Sequence, residues 1–220
     1  DSYAEAALNA MHLGFDGIEL HGAHGYLIDQ FFWEVTNKRK DEYGGDIGDR
    51  TKFAADIVRA CRKEVGPDFP IVFRYSQWKG TDYGAKLANN SNELEQLLVP
   101  LVDAGVDIFH CSTRRIWEPE FKEEDPSLNL AGWTKRITKK PTIAVGSVGI
   151  NRAYLSNKDN EDLTIEDNLK IIDEKIKTGE YDYVAIGRAV LADPEWPVKL
   201  KNGKLDEVLH YTKESEKYLF

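Results

Sequence analysis

The sequence predicts an α/β fold of the (β/α)8 TIM-barrel class, with only the last five β/α units present in this chain. Strands alternate with helices, which indicates a parallel sheet. Several strands end in polar side chains, whereas a doubly wound sheet has strands that are apolar on both faces, and a barrel builds its active site at those ends. Five strands are visible in 220 residues, whereas a closed barrel needs eight. We therefore expect residues 1–220 to be the C-terminal five-eighths of a barrel.

The chain opens with a predicted helix and then a strand. Ser2 as N-cap, with Glu5 three residues later, starts an apolar pattern of helical period that Gly14 ends. The segment FDGIELH (15–21) follows as the first strand.

The next helix and strand follow the same order. The helical pattern runs over Arg50–Val65 and stops at Gly66-Pro67. The second strand is PIVFRYS (70–76).

The third predicted helix begins with Asn92 as its cap and Glu95 at the third position, and it ends at Gly105. Pro100 lies inside it and predicts a kink. The third strand, VDIFHCS, covers 106–112.

Two more strands and one helix complete the pattern. Thr164 caps a helix that Gly179 closes, and the polar run 156–163 before it predicts a surface insertion. The inner face of this helix is predicted to carry Ile165, Leu169, Ile172 and Ile176. The last two strands are PTIAVGS (141–147) and YDYVAIG (181–187).

Composition narrows the classes of function. With 29 Lys and Arg against 38 Asp and Glu, the formal charge is −9, which disfavours nucleic acid as a partner. Two cysteines 50 residues apart, Cys61 and Cys111, predict reduced, buried side chains. The sequence shows no apolar window of membrane-spanning length and no signal peptide, so we expect a soluble cytoplasmic protein without a membrane partner.

The densest group of reactive side chains is in IELHGAHGYLIDQF (18–31). His21 is predicted at the strand tip, with His24 and Tyr26 on the loop above it. Two imidazoles can donate hydrogen bonds to one carbonyl oxygen, and a phenol can deliver a proton nearby. A metal site is the weaker reading, since no matching carboxylate or cysteine set accompanies the histidines. Ordinary core or surface histidines are the alternative.

Arg74 is predicted at an inward-facing strand position. A guanidinium there is costly to bury unless it is paired with an anion. One reading is a salt bridge to Glu19 on the neighbouring strand, and the other is stabilisation of negative charge on a bound ring.

Glycines follow the last two strands. AVGSVG (144–149) contains Gly146, and AIGRAVLADP (185–194) contains Gly187 followed by Arg188. If these are barrel strands seven and eight, their loops form the phosphate site usual for the fold. The sequence contains neither G-x-G-x-x-G nor a P-loop, which disfavours a Rossmann dinucleotide site and phosphoryl transfer.

These motifs together resemble the Old Yellow Enzyme family of FMN-dependent NAD(P)H oxidoreductases. HGAHGYLIDQF, NKRKDEYGGDIGDR, VFRYS, AVGS and AIGRAVLADP occur in the family's order and spacing. The resemblance implies strands four to eight of a flavin-binding barrel, FMN as cofactor, NAD(P)H as reductant and an activated alkene of the enone type as acceptor.

The resemblance also implies roles for single residues. His21 and His24 match the pair that holds the substrate's carbonyl or phenolate oxygen, and Tyr26 matches the proton donor. Arg74 matches the arginine beside the flavin N1/C2=O edge. The phosphate cradle corresponds to Gly146, Ser147, Gly187 and Arg188. The YGG run at 43–45, with Asp41 and Arg50, corresponds to a signature that we interpret as fixing a loop.

Two segments depart from the family pattern, FWEVTN (32–37) and STRRIWEPEF (112–121). We expect Trp78, Arg114 and Trp117 to shape the substrate mouth, so that substrate choice cannot be carried over from the family.

Two other functions stay open from the sequence. One is a barrel lyase or isomerase for a phosphorylated metabolite, which would need a Lys or carboxylate base. Lys79 and Lys122 are predicted to lie in loops, which counts against it. The other is a non-catalytic fragment that needs the first three strands from elsewhere, either through pairing with that segment or in a homo-oligomer.

Overall fold

The computed structural model describes residues 1–150 and 164–217, so the insertion predicted at 156–163 lies outside the described residues. Eight α-helices and five β-strands are present in the described part of the chain. In chain order they are α1 (Ser2–His12), β1 (Ile18–His24), α2 (Leu27–Phe32), α3 (Ile47–Val65), β2 (Ile71–Lys79), α4 (Ser91–Ala104), β3 (Ile108–Ser112), α5 (Leu130–Thr138), β4 (Thr142–Val145), α6 (Ile165–Lys177), β5 (Tyr183–Val184), α7 (Arg188–Ala192) and α8 (Trp196–Lys201). Short 3₁₀ turns at Leu205–Glu207 and Lys213–Lys217 follow.

The five strands form one parallel sheet in the order β1-β2-β3-β4-β5. Each strand pairs with its successor, and the order never reverses as it does at the switch point of a doubly wound sheet. This winding is that of a (β/α) barrel, as the sequence predicts. All five carboxyl ends therefore lie on one edge of the sheet.

Side chains of β2 alternate between the two faces of the sheet. Ile71, Phe73 and Tyr75 are buried, and the Tyr75 hydroxyl lies 2.6 Å from the Oγ1 of Thr134 on α5. Arg74 lies on the opposite, inner face and is aligned in register with His110 of β3. The apolar face of the sheet is covered by α3, α4 and α5 through a continuous core whose helical members include Val58, Cys61, Leu94, Leu97, Leu98 and Leu101.

The first strand has the predicted length of seven residues but is shifted along the chain, because it starts at Ile18 instead of at Phe15. It reaches His24 instead of ending at His21, because Gly22 pairs with Tyr75 and His24 pairs with Lys79 across an irregularity in the register. The strand ends where His24 adopts a positive φ of 64°. His24 is thus the last residue of the strand and not part of the following loop.

Two predicted helix caps are wrong. Helix α4 starts at Ser91, and the Asn90 side chain, not that of Asn92, accepts from the Glu93 amide. The Glu93 carboxylate returns the contact, because it accepts from the Asn90 side-chain amide at 3.3 Å and from the Asn89 backbone amide at 2.8 Å. Asn90 and Glu93 therefore cap the helix reciprocally. In α1, Asp1 occupies the cap position without a side-chain hydrogen bond, and Ser2 is already helical.

Other predicted features agree with the structure in part. The Thr164 side chain caps α6 as predicted, and both cysteines are free and buried. On the predicted inner face of α6, Ile172 is buried but Ile176 is 41% exposed, so that face is narrower than predicted. Helix α4 continues through Pro100 to Gly105, whose left-handed conformation ends it.

Helices α2 and α5 have no counterpart in the predicted pattern. Helix α2 has only six residues, and α5 has nine, too few turns to give a clear period in sequence. Helix α5 begins at Asn129, whose side chain accepts from the Gly132 amide. Strands β4 and β5 are shorter than predicted because their pairing stops before the glycine loops.

Arg62 ties α3 to the amino-terminal edge of the sheet. Its Nη1 donates to the carbonyl oxygens of Gly66 and Phe69, both at 2.7 Å. Its Nη2 donates to the carbonyl of Gly105 at 2.8 Å and to the Asp107 carboxylate. The same carboxylate accepts from the Ile71 amide at 2.8 Å. One guanidinium therefore connects a helix end with the starts of two strands.

Within residues 1–150 and 164–217, no helix combines the length and apolar character needed to cross a lipid bilayer.

Replacing Arg62 with Met should lower the free energy of unfolding by about 2–3 kcal/mol, because several carbonyls and a carboxylate lose their donor. Urea denaturation followed by circular dichroism measures the change. Arg59→Met, on the same helix, is the matched control because Arg59 is exposed and contacts Asp56 only at the surface. Its replacement should change stability by no more than about 0.5 kcal/mol. Equal losses in both variants would contradict the role given to Arg62.

Candidate active site

A cavity of about 340 Å³ opens at the carboxyl ends of the strands. We call it the strand-end cavity. It receives side chains or backbone from the ends of β1 to β5 and from the loops that follow, which is where barrel enzymes place their chemistry. Its lining consists of His24, Arg74, Trp78, Tyr83, Ser112, Thr113, Arg114, Val145, Gly146, Ser147, Val148, Ile150, Ala185, Gly187 and Arg188. This lining contains three arginines and no carboxylate, so it suits an anionic ligand.

The end of β1 brings together the three residues predicted from the HGAHGY motif. The ring centroid of His21 lies 5.2 Å from that of His24 and 5.4 Å from that of Tyr26. The Tyr26 side chain is 63% exposed, so its hydroxyl is accessible to a ligand. Of the three, His24 lines the strand-end cavity, whereas His21 and Tyr26 are exposed beside it and are not among its lining residues.

His24 is held on three sides. Its backbone amide donates to the Oγ of Ser76 at 3.0 Å, and its ring Nε2 lies 2.8 Å from the Oγ of Ser112. The Trp78 ring stacks on the imidazole with centroids 4.3 Å apart and planes inclined by 24°. The Trp78 indole N–H in turn donates to the Ser112 carbonyl at 3.1 Å.

Both histidines at this site favour the neutral form. Burial, together with the positive charge of Arg74, lowers the pKa of His24 to about 4. Burial and Arg74 also lower the pKa of His21. A neutral imidazole has one N–H donor and one acceptor nitrogen, so each ring can orient a carbonyl or phenolate oxygen without carrying charge.

Arg74 lies deeper in the cavity, on the inner face of β2. Its Nε is buried and has no hydrogen-bond partner. The predicted alternative, an ion pair with Glu19, is not formed: a carboxylate oxygen of Glu19 lies 2.7 Å from the Nδ1 of His110 instead. A buried donor without an acceptor is costly, which indicates that the site is built to place a ligand acceptor at this nitrogen.

The two glycine loops form the opposite wall. At Gly146, a Cβ would lie 2.5 Å from the Oγ1 of Thr113 and 2.8 Å from its carbonyl oxygen, so only glycine fits. At Gly187, a Cβ would meet no atom within 4 Å, and the backbone is open to the cavity. The Ser147 hydroxyl donates to the Arg114 carbonyl at 3.0 Å, and the Arg188 guanidinium lies 5.2 Å from the Tyr211 ring centroid.

The three residues predicted for the substrate mouth do not all meet there. Trp78 and Arg114 line the strand-end cavity, and the Arg114 guanidinium lies 3.6 Å from the Tyr83 ring centroid. Trp117 instead packs against the hydrophobic core and is not among the cavity-lining residues. Tyr83 is a lining residue that the sequence reasoning missed, because nothing in the loop 80–90 fixes its direction.

The YGG loop is fixed by Arg50, in agreement with the interpretation from sequence. The Arg50 Nε donates to the Phe32 carbonyl and its Nη1 to the Gly45 carbonyl, both at 2.7 Å. Asp41 accepts from the Tyr43 amide at 3.2 Å.

A buried ion pair lies beside the site and was not predicted. The Lys79 Nζ donates to the Oδ1 of Asp29 at 2.8 Å, and both side chains are fully shielded from solvent. Lys79 is the last residue of β2, so the expectation that it lies in a loop is wrong. Asp29 is the single charge in the segment LIDQFF, but FRYSQWK carries two cations, Arg74 and Lys79, so the sequence did not identify its partner. Among the described residues, no cluster of three or more His, Cys, Asp or Glu side chains could hold a metal ion.

Comparison with known proteins gives the family. The model of the NADH:flavin oxidoreductase / NADH oxidase family matches residues 1–207. The chain belongs to this family.

Relatives in the flavin oxidoreductase family include enzymes from bacteria and plants. The chain is 37% identical over 210 residues to an NADH oxidase of Thermoanaerobacter brockii, covering 94% of this chain and 29% of that protein. It is 35% identical over 196 residues to 12-oxophytodienoate reductase 2 of Arabidopsis thaliana, covering 89% and 46%. The chain thus spans half or less of the length of these two relatives.

Solved structures of this family have the same fold. The structure of morphinone reductase in complex with tetrahydroNAD superposes with a TM-score of 0.70 at 23% identity, covering 97% of this chain and 50% of that one. The old yellow enzyme homologue from Zymomonas mobilis gives 0.70 at 22% identity, covering 98% and 54%. Barrels of the Old Yellow Enzyme type are therefore the architecture that this chain shares.

The residues present fit the FMN that this family uses. The unpartnered Arg74 Nε offers a donor to an electron-rich ring edge, and the open backbone at Gly187 leaves room for a phosphate beside Arg188. Gly146, Ser147, Gly187 and Arg188 would hold the phosphate, and Arg74 would face the ring.

The lowered pKa of His24 predicts how stability depends on pH. The unfolded chain takes up this proton near pH 6.5, but the folded chain does so only near pH 4. The full free energy of unfolding is therefore present above pH 6.5, where His24 is neutral in both states, and part of it is lost as the pH falls from 6.5 towards 4, because only the unfolded chain is protonated there. His24→Asn should make the free energy of unfolding fall less steeply over that interval, as measured by urea denaturation at a series of pH values. His12→Asn, on the exposed side of α1, is the control, and an unchanged slope in His24→Asn would refute the assignment.

Proposed function

We propose that this protein is an FMN-dependent oxidoreductase of the Old Yellow Enzyme type, which uses NAD(P)H to reduce an activated alkene such as an enone. When bound, FMN supplies two-electron hydride transfer between the nicotinamide and the acceptor. The observation that carries the proposal is the strand-end cavity, whose lining brings the buried, unpartnered Arg74 Nε and the glycine loops together with His24. The His21 ring lies beside His24, and the Tyr26 ring lies beside His21.

The charged Arg74 and the neutral His24 have different roles in this proposal. Arg74 is a fixed positive charge inside the barrel, so it favours a ligand ring that carries negative charge. The same charge helps to keep His24 neutral, so the imidazole orients the acceptor's carbonyl oxygen by hydrogen bonding. Hydrogen bonding to the carbonyl oxygen withdraws electrons from the conjugated alkene and makes its β carbon a better hydride acceptor.

The proton donor in this proposal is Tyr26. Its ring lies 5.4 Å from that of His21, and its exposed hydroxyl can reach the α carbon of an acceptor whose carbonyl the histidines hold. Protonation of that carbon completes the reduction that hydride transfer to the β carbon begins. A phenol suits this role because its O–H group is a hydrogen-bond donor that can transfer a proton to a positioned carbon.

The lyase or isomerase alternative loses its candidate base. Lys79 does lie at a strand end, but its ammonium is fully buried and paired with Asp29. The substrate proposed for the strand-end cavity is thus a small molecule for reduction.

Cytoplasmic location, homo-oligomerisation and pairing with a segment that carries further strands stay predictions from the sequence.

FMN titration tests the cofactor site. Adding the protein to FMN should quench the flavin fluorescence in a saturable way, and Arg188→Ala should raise the dissociation constant at least 10-fold, because a charge-assisted contact to phosphate is lost. Arg136→Ala is the matched control, since that guanidinium is exposed on α5 and pairs with Asp125. Equal affinity in the Arg188 and Arg136 variants would contradict the proposed cradle.

Tyr26→Phe tests the proton donor. With the flavin first reduced by NADH or NADPH, reoxidation by cyclohexenone should slow by about 100-fold or more, because general acid catalysis is removed. The rate of flavin reduction should change little, since that step needs no proton from Tyr26. Stopped-flow absorbance separates the two half-reactions, and Tyr183→Phe, an exposed tyrosine outside the cavity lining, is the control. Unaltered reoxidation in the Tyr26 variant would exclude this role.

A further inference from the structure

The Asp29–Lys79 ion pair lies directly beneath the end of β1. Both side chains are 0% exposed, although buried charges lose their hydration and such a pair is frequently no more stabilising than apolar side chains of similar volume. Burial works against the charged form of each group, so it raises the pKa of Asp29 and lowers that of Lys79, while the partner's charge opposes both shifts. Stability of the core therefore does not by itself explain the pair.

The second oxygen of Asp29 holds the turn that carries the reactive side chains. Its Oδ2 accepts from the backbone amide of Gly25 at 2.6 Å, and Gly25 lies between His24 and Tyr26. A carboxylate can accept from Lys79 and from Gly25 at once, one bond on each oxygen, and bonds to a charged acceptor are stronger than neutral ones.

Lys79 joins the same turn to β2. Besides Asp29, its Nζ contacts the Ser76 carbonyl at 3.3 Å, and the Ser76 hydroxyl accepts from the His24 amide. The His24 carbonyl accepts from the amide of Gly80 at 3.1 Å, one residue beyond Lys79. Ser76 and Gly80 of this segment thus hold the backbone amide and the backbone carbonyl of His24.

The turn needs such support because its backbone is strained. His24 has a φ of 64°, in a region that non-glycine residues seldom occupy, whereas Gly25 adopts its φ of 85° without strain because it lacks a side chain. A strained conformation persists only where the surroundings impose it. Without the Gly25 anchor, the turn could relax and move the His24 and Tyr26 side chains apart.

We propose that Asp29 and Lys79 are positioning residues, whose buried ion pair holds the Gly25 amide and thereby fixes His24 and Tyr26 in the arrangement that binds and protonates the acceptor. The consequence for catalysis rests on the proposed function, whereas the consequence for the turn does not. Neither residue touches the strand-end cavity directly, so both act through the turn.

Two double variants separate the anchor from the ion pair. Asp29→Leu/Lys79→Met removes both charges and the acceptor for Gly25, whereas Asp29→Asn/Lys79→Met removes both charges but keeps one acceptor oxygen at position 29. Paired replacement avoids an unpaired buried charge, which single replacements would leave and which could prevent folding. Tyr75→Phe/Thr134→Val is the matched control, because it removes another buried polar contact of β2, the one between Tyr75 and Thr134 of α5.

The first measurement is hydrogen exchange of the protein without added ligand. The amides of residues 24–27 should exchange at least 10-fold faster in the Leu/Met variant than in wild type, and the Asn/Met variant should recover part of that protection. The amides of 144–148 should be unchanged in both, as should those of 24–27 in the control. Wild-type exchange at 24–27 in the Leu/Met variant would overturn the proposal.

The second measurement is made on the FMN-loaded protein as its gene encodes it. The dissociation constant for 4-hydroxybenzaldehyde, followed by the visible absorbance of the flavin, should rise about 10-fold in the Leu/Met variant and less in the Asn/Met variant, with FMN affinity unchanged. Equal affinity in both doubles and wild type would overturn the role in ligand positioning. If wild type binds neither FMN nor the phenol, the proposed function fails, and the exchange data still decide whether the pair holds the turn.

Discussion

Parallel pairing of five consecutive strands is the constraint on which the rest of this structure depends. Because each strand pairs with the next in the same direction, all five carboxyl ends lie on one edge, and the loops after them must share one space. The register then aligns His21 of β1 with Arg74 of β2, and Arg74 with His110 of β3. Residues far apart in the chain become one inward-facing polar layer, while the alternate residues of each strand are buried against the helices.

The electrostatics of the site follow from that layer. Burial, together with the positive charge of Arg74, lowers the pKa of both His21 and His24, so the imidazoles are hydrogen-bonding groups and not charges. The positive potential is left to Arg74, Arg114 and Arg188 along the cavity lining. A surface that is acidic overall thus contains one cationic recess, in which the local arrangement of charge outweighs the net charge of −9.

The rigidity of the β1 turn, which lies beneath this recess, matters as much as the charge of the recess. The β1 turn uses positive φ values at His24 and Gly25, and such a turn does not hold its shape unaided. A buried carboxylate, a buried ammonium and the hydroxyl of Ser76 fix it from below, while Trp78 and Ser112 fix the His24 ring from the side. Flexible side chains are in this way given one geometry before any ligand arrives.

The sequence by itself determined the class of fold, the order of its elements and the residues most able to do chemistry. Alternating strand and helix patterns, polar strand ends and the HGAHGY segment are local features, and local features are visible in a linear chain. It did not determine which Asn caps α4, where β1 ends, that Trp117 turns to the core, or that Asp29 meets Lys79 across 50 positions. Those outcomes depend on which side chains meet when the sheet closes against its helices. The free energy of a charged side chain depends on how deeply it is buried and on whether an opposite charge lies beside it, and both are set by the tertiary structure and not by the local sequence.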